Sequence, residues 1–204
     1  MGDLLPFLQS GKAQLAPPDY LKQLAERENL SFKALRAIII VESGGRHSFD
    51  AHNRPWLLYE PHIYYKLIPS RKRERAVAKN LARKTWDKRF YHLYERTPDD
   101  RWELLERAAE FHEAEAAVGC CSWGPSQIVA SEWAKTCGYE SASDFVRASM
   151  NEEKMLDAFI AVLIAKKLRD AINNEDFDTV ALRYNGKGQV PVYAARMRKA
   201  FNSL

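Results

Sequence analysis

The sequence predicts a mainly α-helical (α+β) fold with one small β-hairpin, and three observations carry that expectation. Residues Ser31 to Gly45 have the apolar spacing and both end signals of a helix. Residues Asn151 to Ile172 are apolar over most of a helical circumference, which suits a helix in the middle of the core. Only Arg46 to Tyr59 combines a turn cluster with a run of strand-forming residues, so a single hairpin turning near His52–Asn53 is expected there.

Taken in order, residues 1–17 form an N-terminal arm closed by Pro17 and Pro18, and residues 18–204 form a single domain. A short helix covers Asp19 to Glu28. In the central helix Ser31 is the N-cap, and Leu35, Ile38, Ile39 and Glu42 follow the i, i+3, i+4, i+7 pattern. Gly44 and Gly45 supply the left-handed stop. From Tyr64 to Phe90 the chain is helical in propensity and strongly basic. Thr97-Pro98-Asp99-Asp100 opens a further helix, expected to run to about Ala117, with an N-cap, a proline in the first turn and two acids. A short apolar segment spans Cys120 to Ala130. Helices follow at 151–172, at Phe177 to Tyr184 before Asn185-Gly186, and from Pro191 to the end.

The 204 residues are 46% hydrophobic and 28% charged, the composition of a globular domain. A formal charge of +4 and a pI near 8.9 suit an anionic polymer and are too mild to indicate nucleic acid. Nine of the cations, Arg71 to Arg89, form a basic face opposed by Glu74 and Asp87 alone. It is either a solvated surface or a site of adhesion whose binding weakens steeply with salt. Three cysteines, two of them adjacent, make no disulfide framework, and the five histidines have no ligand spacing, so neither metal nor cofactor is expected. No signal peptide or membrane span is visible in the sequence, and a monomer is expected.

Glu42 is the residue with chemical promise. A carboxyl group on the apolar face of a helix loses solvation, and the helix C-terminus adds negative potential, so both effects favour the protonated form. That is the state of a general acid. The alternative is a glutamate that caps or pairs locally.

Three separated segments then matter together: Glu42-Ser43-Gly44, Ser122-Trp123-Gly124 with Gln127-Ile128, and Tyr184-Asn185-Gly186. In this order they resemble the lysozyme-like superfamily, especially goose-type lysozymes and soluble lytic transglycosylases. The closer resemblance is to the N-acetylmuramidase domain of phage endolysins. Trp56-Leu57-Leu58-Tyr59-Glu60-Pro61-His62-Ile63-Tyr64 looks like its L-F-E-x-H-x-F segment, Ser122 to Ile128 like its S-W-G-x-F-Q-I, and Ala181 to Gly186 like its A-x-x-Y-N-G. The resemblance spans about residues 20 to 203. Ser126 stands where that family has an aromatic, and the loop after Gly186 also departs from its pattern.

The resemblance implies a lysozyme-like fold and a peptidoglycan hydrolase without a separate wall-binding module. It would cut between N-acetylmuramic acid and N-acetylglucosamine, with Glu42 as acid. Glu60, at the end of the expected hairpin, is the first candidate for the second carboxylate, and Asp50 the second. If neither serves, the sugar's own hydroxyl could attack, as in a lytic transglycosylase. Ser122, Trp123, Gln127, Tyr184 and Asn185 are the candidate glycan-binding residues, each with a structural alternative as core or turn. A glycan-binding protein that has lost catalysis is one rival, and a basic helical nucleic-acid binder, which would leave Glu42, Gln127 and Tyr184 without a purpose, is another. The implied setting is phage lysis, with the protein made in the host cytoplasm and acting on the wall.

Overall fold

The computed structural model describes residues 3–204. Helix α1 (Leu4–Leu8) buries Leu4 and Leu8 in the main core, and Gln14 bridges in parallel to Asn151, so the lead-in segment packs against the body of the domain. Helix α2 (Tyr20–Arg27) leads to α3 (Phe32–Ser43), whose N-cap Ser31 accepts a hydrogen bond from the Ala34 amide and whose C-cap Gly44 is left-handed at φ 58°. Buried Ala34, Leu35, Ala37 and Ile38 hold α3 in the core as its periodicity requires.

The β-structure differs from the expectation. Over residues 46–59 the hairpin shrinks to one bridge, Phe49↔Pro55, around a turn in which Asn53 is left-handed at φ 57°. The strand that does form, β1 (Leu57–Tyr59), pairs antiparallel with the distant β2 (Cys121–Trp123), and β2 pairs with β3 (Ile128–Val129). The true hairpin is therefore β2–β3, turning through Gly124 (φ +69°) to Gln127 (φ 54°). A Cβ at Gly124 would come within 3.0 Å of Met155 Sδ, so the turn needs glycine for both backbone and space.

The helical stretch expected over 64–90 and the helix expected over 151–172 are each divided. The first becomes α4 (Pro61–Leu67), α5 (Ser70–Ala78) and α6 (Lys88–Tyr94). Proline 69 removes an amide donor between α4 and α5, and a left-handed Asn80 ends α5. Helix α7 (Pro98–Phe111) carries a complete capping box between Thr97 and Asp100. It stops short of Ala117, where α8 (Ala114–Gly119) takes over after a break at His112. Two short helices not expected from the sequence follow β3, namely α9 (Ala130–Trp133) and α10 (Ala142–Ala148). The central apolar helix is α11 (Glu152–Ala165). It ends where Lys167 turns left-handed, which swings Leu168 into the core before α12 (Arg169–Asn173). Helices α13 (Phe177–Asn185) and α14 (Val190–Asn202) close the fold, and α14 packs on both α13 and α3. Among the described residues no helix is long and apolar enough to cross a membrane, and the three cysteines are free.

Candidate active site

Glu42 lies one residue from the end of α3, where Ser43 and left-handed Gly44 terminate the helix. Asn185, the last residue of α13, donates from Nδ2 to Glu42 Oε1 at 2.9 Å. Burial pushes the Glu42 carboxyl up to about 7, and the Asn185 hydrogen bond offsets part of that rise. The first and third sequence motifs are thus joined by one hydrogen bond.

Glu60 follows β1 directly. Pro61 starts α4 at the next residue, so the Glu60 carbonyl accepts from the amides of Ile63 and Tyr64 while its side chain stays free of capping. The carboxyl instead accepts from the Tyr91 hydroxyl of α6 through Oε2, and from Ser122 Oγ of β2 through Oε1 at 3.3 Å. Burial raises its pKa above the usual glutamate range. The two hydroxyl donors pull it back, and the nearby Glu132 carboxylate adds to the rise.

The β2–β3 turn forms part of the wall of the cleft that both acids line. Gln127 Nε2 donates to the Gly124 carbonyl at 2.8 Å, which closes the turn, and the Tyr184 hydroxyl donates to the Ser126 carbonyl at 3.1 Å. The Tyr184 ring meets Phe159 edge-on at 5.7 Å. The resulting cleft, about 520 Å³ in volume, is lined by Glu42, Glu60, Ser122, Gln127, Tyr184 and Asn185 together. Six candidates scattered from 42 to 185 in sequence converge on one cavity.

Two candidates do not belong to it. Trp123 is 2% exposed, its indole donates to the Val118 carbonyl at 2.9 Å, and its ring packs edge-on against Trp102. The alternation of β2 turns Ser122 to the cleft and Trp123 to the core, so a glycan cannot reach the indole. Asp50 is equally committed. Its carboxylate accepts from the amides of His52 and Arg54 and from the Arg54 guanidinium, with 2% of the side chain exposed. It builds the bridge turn and takes no part in the cleft.

Arg46, Glu132, Trp133, Lys166 and Tyr193 also line the cleft, and none of them was expected there from the sequence. Nor was Tyr91, whose only sequence signal is its place in an aromatic run of α6. Trp86 packs against Tyr91 at 6.0 Å between ring centroids and is itself 60% exposed, an apolar residue beside Glu60's partner.

Behind Glu60 lies a third buried carboxyl. Strand β1 is an edge strand, and its free side would leave backbone groups unpaired. Glu95 Oε2 accepts from the Tyr59 amide at 3.1 Å and Arg101 Nη1 donates to the Leu57 carbonyl at 3.3 Å, which seals that edge. The Glu95 side chain is wholly buried, and burial pushes it up to about 8 against the pull of the Tyr59 amide and Arg101. With a folded pKa above the unfolded one, the folded state holds its proton more tightly. Stability therefore falls as pH rises from the ordinary glutamate range toward 8. Urea unfolding of wild type and Glu95→Gln at mildly acidic and mildly alkaline pH is expected to show the decline in wild type reduced by on the order of 2 kcal/mol in the variant. Equal declines in both proteins would remove Glu95 as its source.

The family model for N-acetylmuramidase matches residues 31–204. Among solved structures, the Burkholderia AP3 phage endolysin is similar, with 27% identity and a TM-score of 0.75, the match covering 93% of this chain and 71% of that one. No curated protein matches this chain. On the match of its residues 31–204, which include both acids and the whole cleft, the chain belongs to the N-acetylmuramidase family of peptidoglycan-degrading glycoside hydrolases.

Proposed function

We propose that the cleft hydrolyses the β-1,4 bond between N-acetylmuramic acid and N-acetylglucosamine, with Glu42 as general acid and Glu60 as base for the attacking water. The observation that carries this reading is the pairing of two carboxyl groups in one cleft under different local control. Glu42 has a single amide donor and a pKa of about 7, so about half of the molecules hold the proton at neutral pH and nearly all do under acidic conditions. Burial raises the Glu60 pKa as well, but Glu60 faces two hydroxyl donors, each of which favours the ionised form. Glu42 gives its proton to the glycosidic oxygen as the bond to the anomeric carbon breaks. Glu60 takes a proton from the water that adds to that carbon, leaving a reducing end.

The remaining residues hold these two in place. Asn185 fixes the orientation of Glu42. Ser122 and Tyr184 stand in the wall with their hydroxyls already engaged, by Glu60 and by Ser126, so they position rather than react. Gln127 shapes the turn that the glycan passes. The biological setting that fits is phage lysis, with delivery from the host cytoplasm to the wall, in line with the similar phage endolysin.

Mass spectrometry of peptidoglycan digested by the protein tests the reading. Reducing muramic acid ends are expected. Products with 1,6-anhydro ends would mean that the sugar's own hydroxyl attacks, and Glu60 would lose its role as base.

A further inference from the structure

The basic face expected over residues 71–89 is not uniform, and the structure sorts it. Lys84 pairs with Glu74 at 3.4 Å and Arg89 with Asp87 at 3.3 Å. Arg83 donates to the Ala82 carbonyl and Asn80 and lies over Phe90. Arg73 donates to the Ile68 and Lys66 carbonyls and lies over Tyr65. These are satisfied surface cations.

Arg71, Lys72, Arg75 and Lys79 are different. Among the described residues none of the four enters an ion pair. Arg71, Arg75 and Lys79 stand at i, i+4 and i+8, so they form one stripe along α5 and just past its end. Facing them, α7 contributes Arg107, Glu110 and Phe111, and the two helices enclose a groove of about 670 Å³. It shares no lining residue with the catalytic cleft. Five cations and one acid line the groove, a formal +4, which equals the formal charge of the entire chain. The rest of the molecule balances to zero.

The cations are also held in place. Lys72 and Arg75 lie over the Phe111 ring at 5.9 and 5.8 Å from its centroid, and Lys72 Nζ is 3.1 Å from His112 Nδ1. Arg107 donates to the Lys79 carbonyl at 3.0 Å, which ties the far wall to the end of α5. Arg107 pairs with Glu103 at 3.8 Å and Glu110 lines the groove, but the four cations of the α5 side have no ion-pair partner among the described residues, so their mutual repulsion favours a bound anion. Three of the five are arginines, whose fork matches phosphate oxygens two at a time. The groove has the volume of a small phosphorylated saccharide, and Phe111 supplies an apolar side to its wall.

We propose that the α5–α7 groove is an anchoring site for clustered phosphate groups borne on an envelope saccharide, separate from the catalytic cleft. It would hold the enzyme against phosphorylated envelope material while the cleft works on the glycan. This goes beyond the assignment of Glu42 and Glu60 and does not depend on it.

The test uses the full chain, the double variant Arg71→Glu/Arg75→Glu, and the charge-matched control Lys22→Glu/Arg36→Glu. The two control residues are exposed and lie on other helices. Sedimentation with phosphorylated lipopolysaccharide vesicles is compared with the same vesicles after chemical dephosphorylation, and turnover of purified peptidoglycan is measured alongside. The groove variant is expected to lose retention by about tenfold or more. The control should stay near wild type, dephosphorylated vesicles should retain none of the three proteins, and inorganic tripolyphosphate should release the wild type. All three proteins should turn over purified peptidoglycan alike. Equal loss in the control would mean that net charge alone is responsible and would overturn the site. Retention on dephosphorylated vesicles would overturn the phosphate assignment. Tighter retention of the wild type on duplex DNA than on the vesicles would make the groove a nucleic-acid site instead, which also overturns the proposal.

Discussion

Glu42→Gln is expected to lower peptidoglycan turnover about a thousandfold, the scale of a lost general acid. The amide keeps the shape of the carboxyl and can still accept the Asn185 hydrogen bond, so the cleft should keep its geometry. It cannot give up a proton to the leaving oxygen. Stability supplies the control for this experiment. The wild-type carboxyl is buried and ionises reluctantly, so replacing it with a neutral amide should leave the melting temperature unchanged or raised, most visibly above pH 7. The wild type should show the same group in its pH profile. Activity requires protonated Glu42 and should fall by about tenfold for each pH unit above about 7. Near-wild-type turnover by the variant would remove Glu42 as the acid.

How far the site could be seen in advance depended on the range of the interactions that make it. Glu42 was legible because everything that positions it is local. The Ser31 cap, the apolar spacing through Leu35 and Ile38 and the Gly44 stop all lie within one helix. Of the partners of Glu42 and Glu60, Asn185 and Ser122 were legible as site residues only through the family resemblance and Tyr91 not at all, since all three are brought in by packing across the whole fold. The sheet was misread for the same reason. Strands of two or three residues carry almost no periodic signal, and Leu57 finds its partner at Trp123 rather than across a nearby turn. Of the two places open to Trp123, glycan contact or core, the structure takes the core, because a strand alternates its faces. Within a motif read as a unit, Ser122 faces the cleft and its neighbour faces Trp102. The basic face was visible as composition, but which of its cations remain unpaired depends on Arg107 and Phe111, which belong to another helix.

Glu60 is the residue whose substitution separates the chemical alternatives. If it activates water, Glu60→Gln should reduce turnover of peptidoglycan by about a hundredfold or more while leaving the products unchanged. If the sugar's own hydroxyl were the nucleophile, the same variant would lose little, because no water need be deprotonated. A gentler change then identifies what sets the Glu60 proton affinity. Tyr91→Phe deletes one of the two hydroxyls that favour the ionised carboxyl and leaves the ring that packs on Trp86 and Phe90. Burial and Glu132 then act with less opposition, so the Glu60 pKa rises. Because the base must be ionised, the acid limb of the activity profile should move to higher pH. The alkaline limb, set by Glu42, should stay where it was, so the active range narrows from the acid side only. A role for Tyr91 in packing alone would lower activity at every pH and leave both limbs in place. A shift of the alkaline limb would mean that Tyr91 acts on Glu42, against the geometry that places its hydroxyl on Glu60.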